Sequence, residues 1–95
     1  MSFPKVGFVK LKSKTKSIGD VVITLSHGGI NTRAYTEFNK RNVSFPMKSL
    51  IVIQPNCFGL VIEEFHTRDS IICKVLFSDE AGTIAWTRAE NLRSV

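Results

Sequence analysis

Apolar and polar side chains fall in short period-two runs along the chain, with turn residues between them at close intervals. The first run spans residues 5–16. Val9, Leu11, Ser13 and Thr15 take one side, and Lys10, Lys12, Lys14 and Lys16 the other. Strict alternation predicts a strand with all four lysines on one face. The apolar side fades after Leu11, which suggests a hairpin tip near residues 13–17. Ile18-Gly19-Asp20 is a turn signal, and the β-branched run Val-Val-Ile-Thr-Leu over 21–25 predicts a second strand. His27-Gly28-Gly29 turns the chain again, with at least one glycine expected at positive φ.

Residues 31–42 fit two patterns. Ile30, Ala34 and Phe38 are spaced as on a helix, with Asn31 or Thr32 as cap, whereas Thr32, Ala34, Thr36 and Phe38 alternate as on a strand. The balance tips toward a short helix or an irregular connection. Val43-Ser44-Phe45-Pro46 is extended, because a residue before proline avoids the helical region. Residues 49–54, 58–65, 70–77 and 83–87 then supply four more strands. Six short strands separated by turns predict a small barrel or sandwich. The expected core is Val9, Leu11, Val21, Ile23, Leu25, Ile51, Ile53, Leu60, Ile62, Ile72, Val75, Phe77, Ile84, Trp86 and Leu92. No internal repeat or low-complexity linker interrupts the pattern, so residues 1–95 are expected to form a single domain.

Composition agrees with one ordinary globular unit: 95 residues, 43% hydrophobic, with seven Phe to fill a modest core. No apolar run approaches the roughly 20 residues that cross a bilayer. The first residues lack the apolar segment of a signal peptide, and the two cysteines form no CxxC pair, so a reduced, cytoplasmic protein is expected. The net charge of +5 is unevenly placed. Through Lys48, nine basic residues face only Asp20 and Glu37; from Ser49 onward, four basic residues face six acidic ones. A basic half joined to a mildly acidic one makes a dipolar surface, suited to orient a polyanion or an acidic partner.

The order SLIVIQPNCFGLVIEEF…CKVLFSDEAGTIAWTRAENLRSV resembles an SH3-like barrel of the KOW/Tudor sort. Gly59 precedes the strand Leu60-Val61-Ile62, a hairpin carries Lys74, Val75 and Phe77, and an aromatic strand leads through a short 3₁₀ turn to Asn91, Leu92 and Val95. The ending is also similar to that of small proteins of tailed bacteriophages. The resemblance covers about residues 47–95 and implies a mostly β, SH3-like barrel of five or six short antiparallel strands. Residues 46–95 would form its β-meander and residues 1–45 basic strands or a hairpin, with one short helix near 31–42 as the departure from all-β structure.

The lysine row carries the main functional signal. Side chains two apart on a strand lie roughly 6.5–7 Å from each other, a comb that can follow a polyanionic backbone and release counterions. Lysines on an edge strand also block aggregation, which is the plainer explanation of the same residues. Arg33, Lys40 and Arg41 extend the comb if they share its face, and Tyr35 is a candidate to stack on a base. Trp86 shares a side with Ile84 and is expected to pack inward, and it remains a candidate contact for a partner. Cys57, His66, Cys73 and His27 match no zinc-ligand spacing. Neither Cys57 with His66 nor Ser26 and His27 with Asp20 has a supporting catalytic motif. Glu63 and Glu64 are adjacent on a strand and point to opposite faces, so they do not form an acid–base pair. The expectation is a non-enzymatic module without cofactor or metal that binds nucleic acid through phosphates. The alternative is a phage-type module, interacting with a host or viral protein through a sheet edge or the Trp86 face.

Overall fold

The structure is a computed structural model that describes residues 17–25 and 31–95. The strand expected over residues 5–16, with its four lysines and with Val9 and Leu11, lies outside the described residues, as do Ser26 and the His27-Gly28-Gly29 turn. What is described is mostly β. Seven strands follow one another: β1 (Val21–Thr24), β2 (Thr32–Tyr35), β3 (Leu50–Ile53), β4 (Phe58–His66), β5 (Ile71–Phe77), β6 (Ile84–Arg88) and β7 (Leu92–Ser94). They form one curled antiparallel sheet, a half-barrel, in the order β3-β2-β6-β5-β4-β1-β7. Among the described residues the helical turns are two short 3₁₀ segments, Met47–Ser49 and Ala89–Asn91.

The expected meander is present as β4, β5 and β6, each paired with the next. The chain then returns by way of the second 3₁₀ turn, so that β7 pairs with β1 at the far edge (Val22↔Ser94, Thr24↔Leu92). Each turn has a local cause. At residues 67–70 the Thr67 hydroxyl donates to the Ser70 carbonyl and accepts the Ser70 amide. Between β5 and β6, Gly82 sits at φ +64°, and the Thr83 hydroxyl and amide donate to the Asp79 carboxylate. Those hydrogen bonds, the hydroxyl's first, hold the exposed Asp79 carboxyl below its ordinary range.

The short helix favoured over residues 31–42 is replaced by β2 and a turn. Thr32 and Ala34 point into the core opposite Ile53 and Ile51 of β3, while Tyr35 pairs with Trp86 of β6 on the other side. A strand hydrogen-bonded on both flanks satisfies its backbone better than a few residues of isolated helix, and here pairing outweighs the helical spacing.

Two apolar layers occupy the two faces of the sheet. The inner, concave face holds Val22, Ala34, Ile53, Val61, Cys73, Val75, Phe77, Ala85 and Leu92. Their partners define the layer, since Val61 faces Val75 and Val75 faces Ala85 across the ladder. Several expected core positions are therefore out of phase. Val21, Leu60, Ile62 and Ile84 are exposed on the outer face, and Val22, Val61 and Ala85 take their places inside. VVIT, GLVI and TIAW place apolar side chains on both phases of the strand, so alternation alone selects neither face. A bulge between Val61 and Glu63 then resets the phase along β4. Buried hydroxyls are satisfied: Thr24 donates to the Gln54 carbonyl and accepts the Cys57 amide, tying β1 to the turn before β4.

Candidate nucleic-acid interface

The outer face of the sheet gathers Tyr35, Phe38, Phe45, Phe65 and Trp86. Trp86 is buried, 6% exposed, as expected of a core residue, but it packs in the aromatic layer of the outer face and not in the inner cluster. The segment between β2 and β3 folds back over it. Phe38 packs at 5.0 Å on Trp86, at 5.0 Å on Phe45 and edge-on at 5.3 Å to Phe65. Tyr35 and Phe45 stack at 4.4 Å with 17° between their planes. The Asn39 carboxamide shapes the overlying turn by accepting the amides of Arg41 and Asn42, and Val43 takes a left-handed φ of 52° within it. A β-branched residue in that region carries strain, which the packing of Phe38 and Phe45 on either side offsets.

Basic residues ring this cluster. Lys40 and Lys74 each place Nζ 5.6 Å from the centroid of the Trp86 ring, and Lys40 also pairs with Glu63. Arg88 lies over Phe45 at 5.9 Å. β2 pairs with β6 at Tyr35 and Trp86, and next to that pair Arg33 of β2 and Arg88 of β6 open onto one space. A cavity of about 200 Å³ opens there, lined by Arg33, Tyr35, Phe45, Thr87, Arg88 and Asn91. Its floor is fixed by hydrogen bonds. The Thr87 hydroxyl donates to the Arg33 carbonyl at 2.9 Å and accepts from Asn91 Nδ2 at 3.0 Å.

The structure thus joins Arg33 and Tyr35 in one cavity and puts Lys40 over the neighbouring Trp86. Arg41 is exposed on the turn of residues 39–44. The near-complete covering of Trp86 leaves half-buried Tyr35 as the more accessible of the two aromatic candidates. Arg88, Phe45 and Asn91 were missed. Arg88 shares the phase of Trp86 in the TIAWTR run, a usable signal, but it belongs to the half of the chain whose net charge is negative.

The other candidate chemistry is dispersed. Cys57 precedes β4 and His66 ends it, nine residues on, which at strand rise is about 30 Å. Cys73 is buried in the inner core opposite Glu64. The His66 ring contacts the Glu64 carboxylate, which also accepts the Ile18 amide, while Glu63 turns the other way to Lys40. No cluster of three metal-ligating side chains occurs among the described residues. Nor is any helix among them long and apolar enough to cross a membrane. Set against known proteins, the chain matches no family model, no curated protein and no solved structure.

Proposed function

We propose that the chain is a small non-enzymatic binding module that contacts nucleic acid, chiefly through phosphates and with little sequence specificity. The observation that carries this reading is that Arg33 and Arg88 line one cavity in which no carboxylate takes part. All eight acidic side chains of the chain lie among the described residues, where the basic side chains they contact are Lys40 at Glu63 and His66 at Glu64. Two guanidinium groups opening onto one cavity with no acidic neighbour favour an anion bound between them. Lys10, Lys12, Lys14 and Lys16 would act as further phosphate contacts, and Lys40 and Arg41 as an extension of the same basic surface. On this reading affinity falls steeply with added salt. Changing the four lysines to Gln flattens the slope of log K against log salt by up to about 3 for a single strand. Binding that ignores salt, or an unchanged slope in the Gln variant, would overturn the assignment.

A second reading, a protein-interaction module of phage type on an SH3-like scaffold, draws on a different observation. Val21, Leu60, Leu76 and Ile84 stand opposite one another on β1, β4, β5 and β6, forming one unbroken row across the outer face. They are 50%, 39%, 38% and 45% exposed, and Phe58 beside them is 49% exposed. By fractional exposure the patch is on the order of 500 Å², the scale of surfaces that monomers keep for partners. Association that survives nuclease and high salt would favour this reading.

A further inference from the structure

The cavity between β2 and β6 has features that general phosphate attraction does not require. A comb of lysines serves a duplex or a single strand alike, and needs neither a recess nor an aromatic wall. Here the two arginines flank a stacked aromatic pair, over a floor already fixed by the Thr87 hydrogen bonds. The anion-seeking groups and the π-surface thus open onto one small space.

Each wall selects for part of a nucleotide. Arg33 and Arg88 present forked donors that match phosphate geometry, and no acidic side chain lines the cavity to compete for them. Arg88 is held near the Phe45 ring, which orients its guanidinium before any ligand arrives. Tyr35 and Phe45, stacked on each other and each half-exposed, line the cavity and offer an apolar surface to a flat heterocycle. Asn91 spends its amide on Thr87, and its Oδ1 has no hydrogen-bond partner among the described residues, leaving an acceptor for an amino or imino group. At about 200 Å³ the cavity holds the volume of roughly seven waters, which suits one base and not a base pair.

From this combination we infer that the cavity binds one nucleotide unit of a single-stranded nucleic acid, its phosphate on Arg33 and Arg88 and its unpaired base against the Tyr35–Phe45 stack. The inference rests on the nucleic-acid reading and sharpens it. A duplex keeps its bases stacked on each other and has none to place there. A free mononucleotide has the same chemistry but lacks the neighbouring phosphates that reach the other basic residues.

Tyr35 is the only tyrosine in the chain, so its ring resonances report this cavity without ambiguity. The test titrates the full chain with a twelve-residue oligothymidylate, with the same sequence annealed to its complement, and with thymidine monophosphate. It follows affinity and the Tyr35 ring protons by NMR. The single strand is expected to bind at least about tenfold tighter than either competitor and to shift the ring protons upfield. Arg33→Gln with Arg88→Gln should lower that affinity about tenfold and abolish the shift, an effect the size of one or two lost charge-assisted hydrogen bonds. Lys48→Gln, outside the cavity, should leave the shift in place. Both arginines are exposed, and an unchanged Trp86 emission spectrum confirms that the variants fold. Equal affinity for duplex or mononucleotide, or salt-dependent binding with Tyr35 unmoved, overturns the cavity assignment and leaves the phosphate reading standing. Absence of any salt-dependent binding overturns both.

Discussion

Gly59 shows how far a single residue governs this sheet. It faces the concave side of β4, opposite Phe77 of β5 and Val22 of β1. A Cβ there would meet Val75 Cγ1 at 2.5 Å, the Leu76 carbonyl oxygen at 3.2 Å and the Phe77 ring at 3.3 Å. One of those contacts is with backbone of the paired strand, so relief requires moving the strand itself. Gly59→Ala is therefore expected to lower stability by about 1–3 kcal/mol. For a domain of this size, that corresponds to a melting temperature lower by at least about 4 °C. An unchanged melting temperature would mean that the strand yields more easily than the packing implies. Gly19 and Gly82 differ in kind. A Cβ at either would touch nothing within 4 Å, and their positive φ alone restricts them. The glycine before Leu60-Val61-Ile62 is visible in the sequence, but the neighbours that exclude a methyl group come from other strands.

At the scale of elements, the segment between β2 and β3 is a lid on the outer face rather than a connection over solvent. Phe38 bridges three aromatic rings, and the Lys40–Glu63 pair joins the segment to β4. Phe38→Ala is expected to cost about 2–3 kcal/mol, somewhat less than for a fully buried ring because Phe38 is half-exposed. Trp86 emission should shift to the red while far-UV circular dichroism keeps its β signature, since the ladders run beneath the lid. An unmoved emission maximum would show that Phe38 does not shield Trp86. In the sequence, residues 31–42 fit both helical and strand spacing, and the balance tips toward a short helix or an irregular connection. Thr32 and Ala34 face inward only because β3 is there to receive them, and that strand lies some eighteen positions away along the chain.

At the scale of the whole molecule, the outer face divides into two regions of opposite character. One carries the lid, the aromatic cluster and the basic groups of β2, β5 and β6; the other carries the bare row Val21–Leu60–Leu76–Ile84. If that row is a contact surface, Leu76→Glu at its centre removes association seen by sedimentation and leaves the melting temperature within a few degrees of the parent. Loss of fold instead would show that Leu76 belongs to the core. Charge also divides unevenly, but not along the boundary that counting by halves suggests. Arg88 comes from the net-acidic part of the chain and lines the same cavity as Arg33 from the basic part.

By itself the sequence determined the period of the strands, the turns that end them and hence the mostly β class. These are local matters: alternation, β-branched runs and residues such as Gly82 or Asp79 act within a few positions of one another. The tertiary structure decided which phase of each strand faces inward. In VVIT and TIAW both phases are apolar, and only the registers Val21↔Leu60 and Leu76↔Ile84 assign one of them to the outside. It also decided the joining of β7 to β1, the covering of Trp86 by Phe38 and the opening of Arg33 and Arg88 onto one cavity. Each of these brings together residues whose separation along the chain carries no signal of proximity, because pairing energy is collected only after the intervening chain has closed.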